Sequence, residues 1–342
     1  MSRAREDQSV WEPDVLTGYA KRTLSLGLDP DGEGEIVATV IRKKDPATAH
    51  RAVVAVHGYT DYFFNAEVAD YFTGRGFAFY AIDLRKCGRS WREGQTPHFT
   101  TDLACYDVEL QRAAALIADE TGGASLLVYG HSAGGLIVTL WLDRMRREAR
   151  SSGVTGLVLN SPFFDVRGPA VLRAAVSSAT TGAVSRLGRR RVLRRTGAGG
   201  YGTSLHRDHG GEFDYNLAWK PLGGFPVTVG WIHAIRRGQA RLHRGLDVGV
   251  PSLILRSDKS VAESRDAAAM QRGDAVLDVA QIARWAGCVG NRTTVVPITD
   301  AKHDVFLSLA EPRQTAYHEL SAWLDWYTAH TSPDNTDARR MS

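Results

Sequence analysis

Residues 130–134 read Gly-His-Ser-Ala-Gly and join an apolar run to a segment with helical spacing. A Gly-x-Ser-x-Gly sequence in this context is typical of a sharp strand-to-helix turn that presents a serine hydroxyl for nucleophilic attack. Glycine at 130 and at 134 removes side chains that would clash at such a tight crossing. A serine hydroxyl is a weak nucleophile near neutral pH, so it needs a base and hydrogen-bond donors for the oxyanion. We therefore predict that Ser132 is a nucleophile; the alternative is a serine that only caps a helix.

The base that such a serine needs is a histidine. Seven histidines follow Ser132 in the chain, at positions 206, 209, 233, 243, 303, 318 and 330. Only His303 lies in a loop directly after a late apolar strand, within Thr-Asp-Ala-Lys-His-Asp-Val. The others lie in an irregular insertion, in the final helix or in the tail. The sequence therefore predicts that His303 takes the proton of Ser132.

An acid that orients the histidine is expected between the serine and the histidine in chain order. It should lie after the strand over 252–256, where we consider three aspartates as candidates. We prefer Asp274, which opens the helical segment that leads to the strand before His303. Asp258, at the end of the strand over 252–256, is the alternative acid. Asp278 is a third candidate, but a carboxylate that favours a helix N-terminus explains it better.

The donors of an oxyanion hole are expected to be backbone N–H groups. One follows the nucleophile directly, at Ala133, and the other belongs to the loop after the strand over 51–56. That loop begins His57-Gly58-Tyr59, so Tyr59 is predicted to supply the second N–H. The alternative for His57-Gly58 is an ordinary strand-to-loop turn.

Apolar runs predict the elements that must position these residues. Strands are predicted at residues 19–28, 35–43, 51–56, 77–82, 125–129, 157–160, 253–256 and 294–298. Helical spacing is found at residues 65–74, 102–120, 133–150, 278–286 and 311–328. Strands that alternate with helices predict an α/β protein with a mostly parallel central sheet and helices on both faces.

The alternation is interrupted once, by a Gly- and Arg-rich stretch with Trp219 and Trp231. We therefore predict a core built from residues 1–165 and 248–330, an inserted cap or lid at 166–247, and a flexible tail at 331–342. The predicted cap holds 14 Arg or Lys and 4 Asp or Glu, a net charge of +10, against +4 for the whole chain.

The basic cap has two interpretations. Six of its positive charges fall between Arg186 and Arg195, which is typical of a solvated charged face. The alternative is a surface that meets anionic lipid headgroups or an acidic partner, as peripheral membrane contact. No nucleic-acid-binding motif accompanies the patch, so nucleic acid is not an expected partner.

Composition narrows the class of protein. The chain has 342 residues, of which 43% are hydrophobic, a globular composition sufficient for a large core. No secretory signal or membrane-spanning run is apparent, and the three cysteines do not suggest disulfides or a zinc site. We expect a cytoplasmic enzyme without a metal ion or cofactor; composition does not indicate an oligomeric state.

Together, these motifs resemble the α/β-hydrolase superfamily, and most closely its monoacylglycerol lipase, lysophospholipase and serine aminopeptidase group. The resemblance spans about residues 51–325, apart from most of the insertion, and rests on the segments at 57–61, 76–85, 130–135 and 274–278 and on His303. It implies an α/β-hydrolase fold and a Ser-Asp-His triad of Ser132, Asp274 and His303. Ser132 excludes the aspartate nucleophile of related dehalogenases and epoxide hydrolases.

Two features depart from that family. Its usual Arg-Gly-His-Gly-x-Ser segment is replaced here by Arg-Lys-Cys-Gly-Arg-Ser at residues 85–90. An extension at residues 259–273 precedes Asp274 and leaves Asp258 open as the acid. The first departure bears on loop conformation and substrate, and the second on the identity of the acid.

Aromatic residues at predicted strand ends and in the predicted cap are consistent with an apolar acyl-binding cleft, with ordinary core packing as the alternative. The candidate pocket residues are Phe63, Phe64, Phe163, Phe164, Trp219 and Trp231. We therefore expect hydrolysis of a lipid-like or other apolar carboxylic ester through an acyl-serine. The alternatives are an acyltransferase or cyclase with the same acyl-enzyme, an aminopeptidase-like amide hydrolase, and a ligand-binding protein without enzymatic activity.

Overall fold

The computed structural model of the protein describes residues 10–43, 49–168, 188–194 and 199–331. Their main element is a nine-stranded sheet with the strand order β1-β2-β3-β5-β4-β6-β7-β10-β11. The strands are β1 (Glu12–Pro13), β2 (Tyr19–Leu28), β3 (Glu35–Lys43), β4 (Arg51–Val56), β5 (Phe77–Asp83), β6 (Ser125–His131), β7 (Val154–Asn160), β10 (Ser252–Ser257) and β11 (Thr293–Ile298). A separate antiparallel pair joins β8 (Val192–Arg194) and β9 (Val227–Thr228).

The sheet is antiparallel at its beginning and parallel from β5 onward. Strands β1, β2 and β3 pair antiparallel, and β3 pairs antiparallel with β5. From there β5, β4, β6, β7, β10 and β11 are all parallel neighbours. The carboxyl ends of the parallel strands therefore meet at one edge of the sheet, where ligands bind in folds of this kind.

Helices cover both faces of the sheet. The helices of the described residues are α1 (Ala66–Gly74), α2 (Asp107–Thr121), α3 (Ala133–Arg147), α4 (Gly200–Leu205), α5 (Val229–Leu242), α6 (Val279–Trp285) and α7 (Ala310–His330), of which α4 belongs to the predicted cap. One core packs α2, α3, α5 and α6 against side chains such as Val54 and Val56, and the other packs α1 and α7 against Val53 and Ala55. Alternate residues of β4 thus serve opposite cores, as the pleat of a doubly covered strand requires.

The α/β architecture with a mostly parallel sheet and helices on both faces confirms the predicted fold class. The strands and helices lie within a few residues of the predicted segments. In the described ranges, no helix combines the length and the apolar character needed to span a membrane.

The predicted cap lies between β7 and β10, and its described part contains β8, β9, α4 and α5. Helix α5 packs closely on α3, because a Cβ at Gly238 would lie 2.8 Å from Leu140 Cδ1. The chain therefore returns to the core before position 247. The division into a core and a cap at 166–247 stays a prediction, and the predicted tail beyond Thr331 lies outside the described residues.

Candidate active site

Ser132 lies at the sharp turn between β6 and α3. Its backbone has φ 52° and ψ −119°, a conformation that a non-glycine residue rarely adopts. The Ser132 N–H donates to the carbonyl of Asn160 at 2.9 Å, and the Ser132 carbonyl accepts from Phe163 N at 2.9 Å. Both bonds tie the turn to the end of β7, so the strained conformation is held by neighbouring backbone.

Glycines allow this turn to pack against the sheet. A Cβ at Gly130 would lie 2.8 Å from Val138 Cγ2, and one at Gly134 would lie 2.3 Å from the carbonyl oxygen of His57. Real Cβ atoms are not found at such distances. The glycine spacing around Ser132 is therefore a steric requirement of the turn.

His303 and Asp274 meet in a buried pair. His303 Nδ1 lies 2.9 Å from Asp274 Oδ2, and the side chains are 4% and 0% exposed. The other carboxylate oxygen of Asp274 accepts the backbone N–H groups of Val276 at 2.8 Å and Leu277 at 2.7 Å. Asp274 thus has one oxygen fixed by the loop and one directed to His303, which favours a proton on His303 Nδ1 and a lone pair on Nε2.

The two other candidate acids have different partners. Asp258 Oδ1 accepts the N–H of Asp300 at 3.0 Å, and Asp258 is exposed. Asp278 caps helix α6, where its side chain accepts from Ala280 N at 3.0 Å. Of the three predicted acids, only Asp274 is paired with His303.

The loop after β4 lies directly against Ser132. A Cβ at Gly58 would lie 2.9 Å from Ser132 Cβ, so glycine permits the close approach. The ring of His57 holds the loop, since its Nε2 accepts from Leu84 N at 3.0 Å and its Nδ1 donates to the carbonyl of Gly58 at 2.8 Å. We call residues 57–62 the oxyanion loop; it includes Tyr59, the predicted second donor, directly after the close contact of Gly58 with Ser132.

Ser132 and His303 border one cavity of about 430 Å³. Its apolar lining comes from the oxyanion loop, the segment after β7, the predicted cap and the loop after Asp274: Tyr59, Phe163, Leu222, Phe225, Val227, Trp231, Ile232, Val276 and Leu277. The rings of Tyr59 and Trp231 are 4.0 Å apart, and those of Phe163 and Trp231 are stacked at 6.2 Å. The cavity could therefore hold an apolar group against the serine.

The predicted pocket aromatics divide into three groups. Phe163 and Trp231 line the cavity, whereas Phe63 and Phe64 line a smaller cavity of about 40 Å³ that shares Asp61 and His131 with it. Phe164 lies in the core, where it is fully buried, and Phe163 is partly buried against the same core.

Trp219 also departs from the expectation. It packs edge-on against Tyr62, with ring centroids 5.1 Å apart, and under the guanidinium of Arg89 at 5.6 Å. It is absent from the described lining of both cavities. Phe63, Phe64, Phe164 and Trp219 are thus not among the described lining of the cavity beside Ser132, and a role for any of the six aromatics in substrate binding stays a prediction.

An ion pair in the cavity wall was missed by the sequence reasoning. Lys220 Nζ donates to Asp61 Oδ1 at 2.6 Å, and both residues line the cavity. Burial pushes the pKa of the Asp61 carboxyl upward, but the Lys220 ammonium outweighs it, so the pKa lies below its ordinary value. The sequence feature that could have indicated this ion pair is Asp61, which ends the His-Gly-Tyr-Thr-Asp segment.

A second histidine beside the serine was also missed. His131 lines both cavities, and its ring centroid is 4.9 Å from that of His303. Its Nδ1 donates to the carbonyl of Asn160 at 3.1 Å, and burial lowers its pKa below the ordinary value. A neutral imidazole is therefore favoured at this position.

Lys86 and Cys87, which replace the usual Gly-His of the family segment, both have buried partners. Lys86, at φ 60°, places its ammonium 2.7 Å from Asp29 and 2.8 Å from Glu33, in the turn between β2 and β3. Cys87 Sγ lies 3.1 Å from His98 Nδ1, and burial raises the pKa of its thiol well above the usual range. Both side chains are therefore buried with polar partners, and neither is among the described lining of the cavity beside Ser132.

Part of the predicted basic surface is paired internally. Arg190 contacts Glu33, and Arg189 Nη1 lies 4.0 Å from Asp31 Oδ1. Arg186 and Arg195 lie outside the described residues. Contact of this surface with anionic lipid stays a prediction.

The fold and the site together define an α/β hydrolase. A family model described as serine aminopeptidase, S33 (Hydrolase_4) matches residues 47–276, which is more than half of the chain. The chain therefore belongs to this S33 hydrolase family. The match includes Ser132 and Asp274 and ends before His303.

Solved structures share this fold at low sequence identity. A soluble variant of the monoglyceride lipase from Saccharomyces cerevisiae, in complex with a substrate analogue, is 14% identical with a TM-score of 0.61 over 95% of this chain and 97% of that chain. The monoacylglycerol lipase of Paleococcus ferrophilus is 16% identical with a TM-score of 0.57 over 92% and 99%.

A third structure, DcsB in complex with its substrate analogue, is 13% identical with a TM-score of 0.61 over 90% and 99%. No curated protein sequence matches the chain. The matches confirm the predicted resemblance to the α/β-hydrolase superfamily and to its lipase and aminopeptidase group.

Proposed function

We propose that the protein hydrolyses carboxylic esters with a lipid-like or other apolar acyl group, through an acyl-serine intermediate. The observation that carries the proposal is the buried His303–Asp274 pair, 2.9 Å apart, which opens on the same apolar cavity as Ser132. A base held by a carboxylate beside a serine on a strained turn is the arrangement that activates a hydroxyl.

In the proposed first half-reaction, His303 Nε2 takes the proton from Ser132 Oγ as that oxygen bonds to the ester carbonyl carbon. The carbonyl oxygen becomes an oxyanion, for which the N–H groups of Tyr59 and Ala133 are the proposed donors. Collapse of this intermediate breaks the bond to the alcohol oxygen, which receives the proton from His303. Asp274 stabilises the imidazolium in between and holds the ring orientation.

In the second half-reaction, water takes the place of the alcohol. His303 removes a proton from the water, whose oxygen bonds to the acyl carbon and forms a second oxyanion at the same donors. Breakage of the bond to Ser132 Oγ releases the carboxylic acid, and the proton returns from His303 to Ser132. The atoms and protons balance with one ester and one water consumed.

An apolar acyl group is supported by the cavity lining. Tyr59, Phe163 and Trp231 form one aromatic wall, and Val276 and Leu277 adjoin Asp274 on another side. Burial of apolar surface stabilises a bound chain by about 0.8 kcal/mol per CH₂ group. The cavity therefore favours a hydrocarbon-rich acyl group over a charged one.

The same acyl-enzyme could be resolved by an amine or alcohol, or formed from an amide. The S33 description of the family points to aminopeptidases, in which a carboxylate would bind the substrate ammonium. Of the carboxylates that line the described cavity, Asp61 is already engaged by Lys220, and Glu263 is exposed to solvent. An ester therefore fits the cavity better than a peptide N-terminus does.

The test is a series of p-nitrophenyl esters from acetate to decanoate, with wild type and Ser132→Ala. We expect turnover by wild type, no turnover by the variant, and fluorophosphonate labelling that the variant abolishes. Ser321→Ala, on helix α7, is a matched control that should behave as wild type. Wild-type protein without ester turnover and without labelling at Ser132 would refute the proposal.

Product analysis separates hydrolysis from acyl transfer. The same esters are supplied with an added amine or alcohol, and aminoacyl p-nitroanilides are run alongside. Release of free acid alone supports the ester hydrolase. A dominant acyl-amine or acyl-alcohol product would instead indicate a transferase, and faster cleavage of the anilides an amide hydrolase.

A further inference from the structure

Four consecutive side chains of the oxyanion loop each bond one short segment of the insertion, residues 216–226. In order along the loop, Tyr59 Oη donates to Pro226 O at 2.7 Å, Thr60 Oγ1 accepts from Phe225 N at 2.9 Å, Asp61 Oδ1 accepts from Lys220 Nζ at 2.6 Å, and Tyr62 Oη accepts from Asn216 N at 2.7 Å. The two segments run in opposite directions. The loop is thus attached to the insertion at every position from 59 to 62.

The backbone of the loop requires such support. Thr60 has φ 53°, in the left-handed region that β-branched residues rarely adopt. A strained conformation of this kind persists only where the surroundings determine it. The hydrogen bond from Phe225 N to the Thr60 hydroxyl is a contact that can do so, since it holds the strained residue itself.

The ion pair strengthens the attachment in the same place. Lys220 and Asp61 are both buried, and the Lys220 ammonium lies 5.4 Å from the ring centre of Phe64 and 5.7 Å from that of Tyr215. Separation of a buried pair leaves an uncompensated charge, which strongly disfavours movement of either segment alone. The loop and the insertion segment are therefore expected to move together.

We propose that residues 216–226 of the insertion position the oxyanion donor at Tyr59, with Thr60 as the positioning residue. This inference rests on the proposed function, because it assumes that the Tyr59 N–H meets the oxyanion. Residues 220–225 also line the substrate cavity. A bound acyl ester therefore contacts the segment that sets the geometry of its own oxyanion hole.

A positioning role differs from general structural support in what it changes. Displacement of an oxyanion donor reduces the stabilisation of the tetrahedral intermediate and leaves substrate binding largely intact. It therefore lowers kcat more than it raises KM. Complete loss of one donor costs roughly 100-fold to 1000-fold in kcat. A partial shift of Tyr59 should cost about 10-fold or more.

The experiment compares Thr60→Val, Thr60→Ser and Tyr59→Phe with wild type on one good ester. Thr60→Val keeps the shape but removes the hydroxyl, and we expect kcat to fall about 10-fold or more with KM within about 3-fold. A trifluoromethyl ketone, which forms a tetrahedral adduct, should lose affinity by a similar factor. Thr60→Ser keeps the hydroxyl and should restore most of kcat.

Thr101→Val is the matched control, since it removes a threonine hydrogen bond to Asp31 away from the loop; it should keep wild-type kcat. If Thr60→Val does not fold, Tyr59→Phe, which deletes only the bond to Pro226, carries the test with the same expected split. Wild-type kcat in these variants, an effect confined to KM, or equal losses in Thr60→Val and Thr60→Ser would overturn the inference. An inactive wild type would instead count against the proposed function.

Discussion

His303 Nδ1 lies 2.9 Å from Asp274 Oδ2, although 29 positions separate the two residues in the chain. The approach depends on the loop that carries Asp274. The backbone N–H of Asp274 donates to Lys259 O at 2.9 Å, and the carbonyl of Asp274 accepts from Val261 N at 2.9 Å. These bonds close the extension at 259–273 back on itself, so that Asp274 follows β10 in space even though it does not do so in sequence.

Replacement of this acid should be far more damaging than replacement of Asp258. Asp274→Asn removes the carboxylate that holds the His303 tautomer, and we expect kcat to fall about 1000-fold to 10,000-fold. Asp258→Asn, the matched control, loses an exposed contact to Asp300 and should keep kcat within about 3-fold. The measurement is kcat of the two variants on one ester. A larger loss in Asp258→Asn than in Asp274→Asn would contradict Asp274 as the acid that orients His303.

Gly134 should tolerate no side chain. In Gly134→Ala the new Cβ would lie 2.3 Å from the His57 carbonyl oxygen and 2.6 Å from that of Val56. Both contacts are backbone, so we expect the free energy of unfolding to fall by at least about 2 kcal/mol. Gly74→Ala, at the end of α1 with no atom within 4 Å of the new Cβ, is the control and should gain up to about 1 kcal/mol. Urea unfolding of both variants is the measurement, and equal stabilities would disprove the steric argument.

Val276 offers a test of acyl selectivity. It lines the cavity but is 39% exposed, so a larger side chain should narrow the cavity without disturbing the core. For Val276→Trp we expect the ratio of kcat/KM for decanoate over acetate esters to fall about 10-fold. Val108→Trp, at an exposed position of α2, is the control. An unchanged ratio would show that the acyl chain binds elsewhere.

Lys302, next to His303, predicts a pH-dependent stability. Burial lowers the pKa of its ammonium from 10.5 to about 8, although Nζ donates to Ser204 O at 2.7 Å. Below pH 8 both the folded and the unfolded chain carry the proton, and the full cost of burying the charge remains. Between about pH 8 and 10.5 the unfolded chain holds more protons than the folded one, so this group makes stability rise with pH.

Lys302→Met removes that dependence. We compare the change in the free energy of unfolding that the substitution causes at the two pH values. This change should be more stabilising at pH 7 than at pH 10.5, by about 2–3 kcal/mol. Urea unfolding at both pH values measures the difference, with Lys21→Met, on strand β2, as the control. If the substitution changed the free energy of unfolding by the same amount at both pH values, Lys302 would not titrate between them.

Local patterns were sufficient for most elements of the fold. β4 and β6 are short runs in which apolar residues predominate, and both form buried parallel strands at the predicted places. Helix α3 follows the glycine turn as expected. Such patterns work because a doubly covered strand must be apolar throughout, whatever the rest of the fold does.

Local patterns could not predict which of two adjacent residues of the same type lines the cavity. Phe163 and Phe164 are identical in type and adjacent, yet one lines the cavity and the other is buried in the core. The direction of each side chain depends on the backbone path after β7, which carries no sequence signal. The same holds for Arg190, whose charge is met by Glu33 from a distant turn.

The sequence by itself determined the class of architecture, the turn at Ser132 and the candidate base His303, because strand and helix periods and glycine spacing are local properties. Only the tertiary structure decided that Asp274 rather than Asp258 meets His303, and that residues 59–62 are bonded to residues 216–226. Those relations join positions far apart in the chain, and their geometry follows from how loops close and pack, which no local pattern encodes.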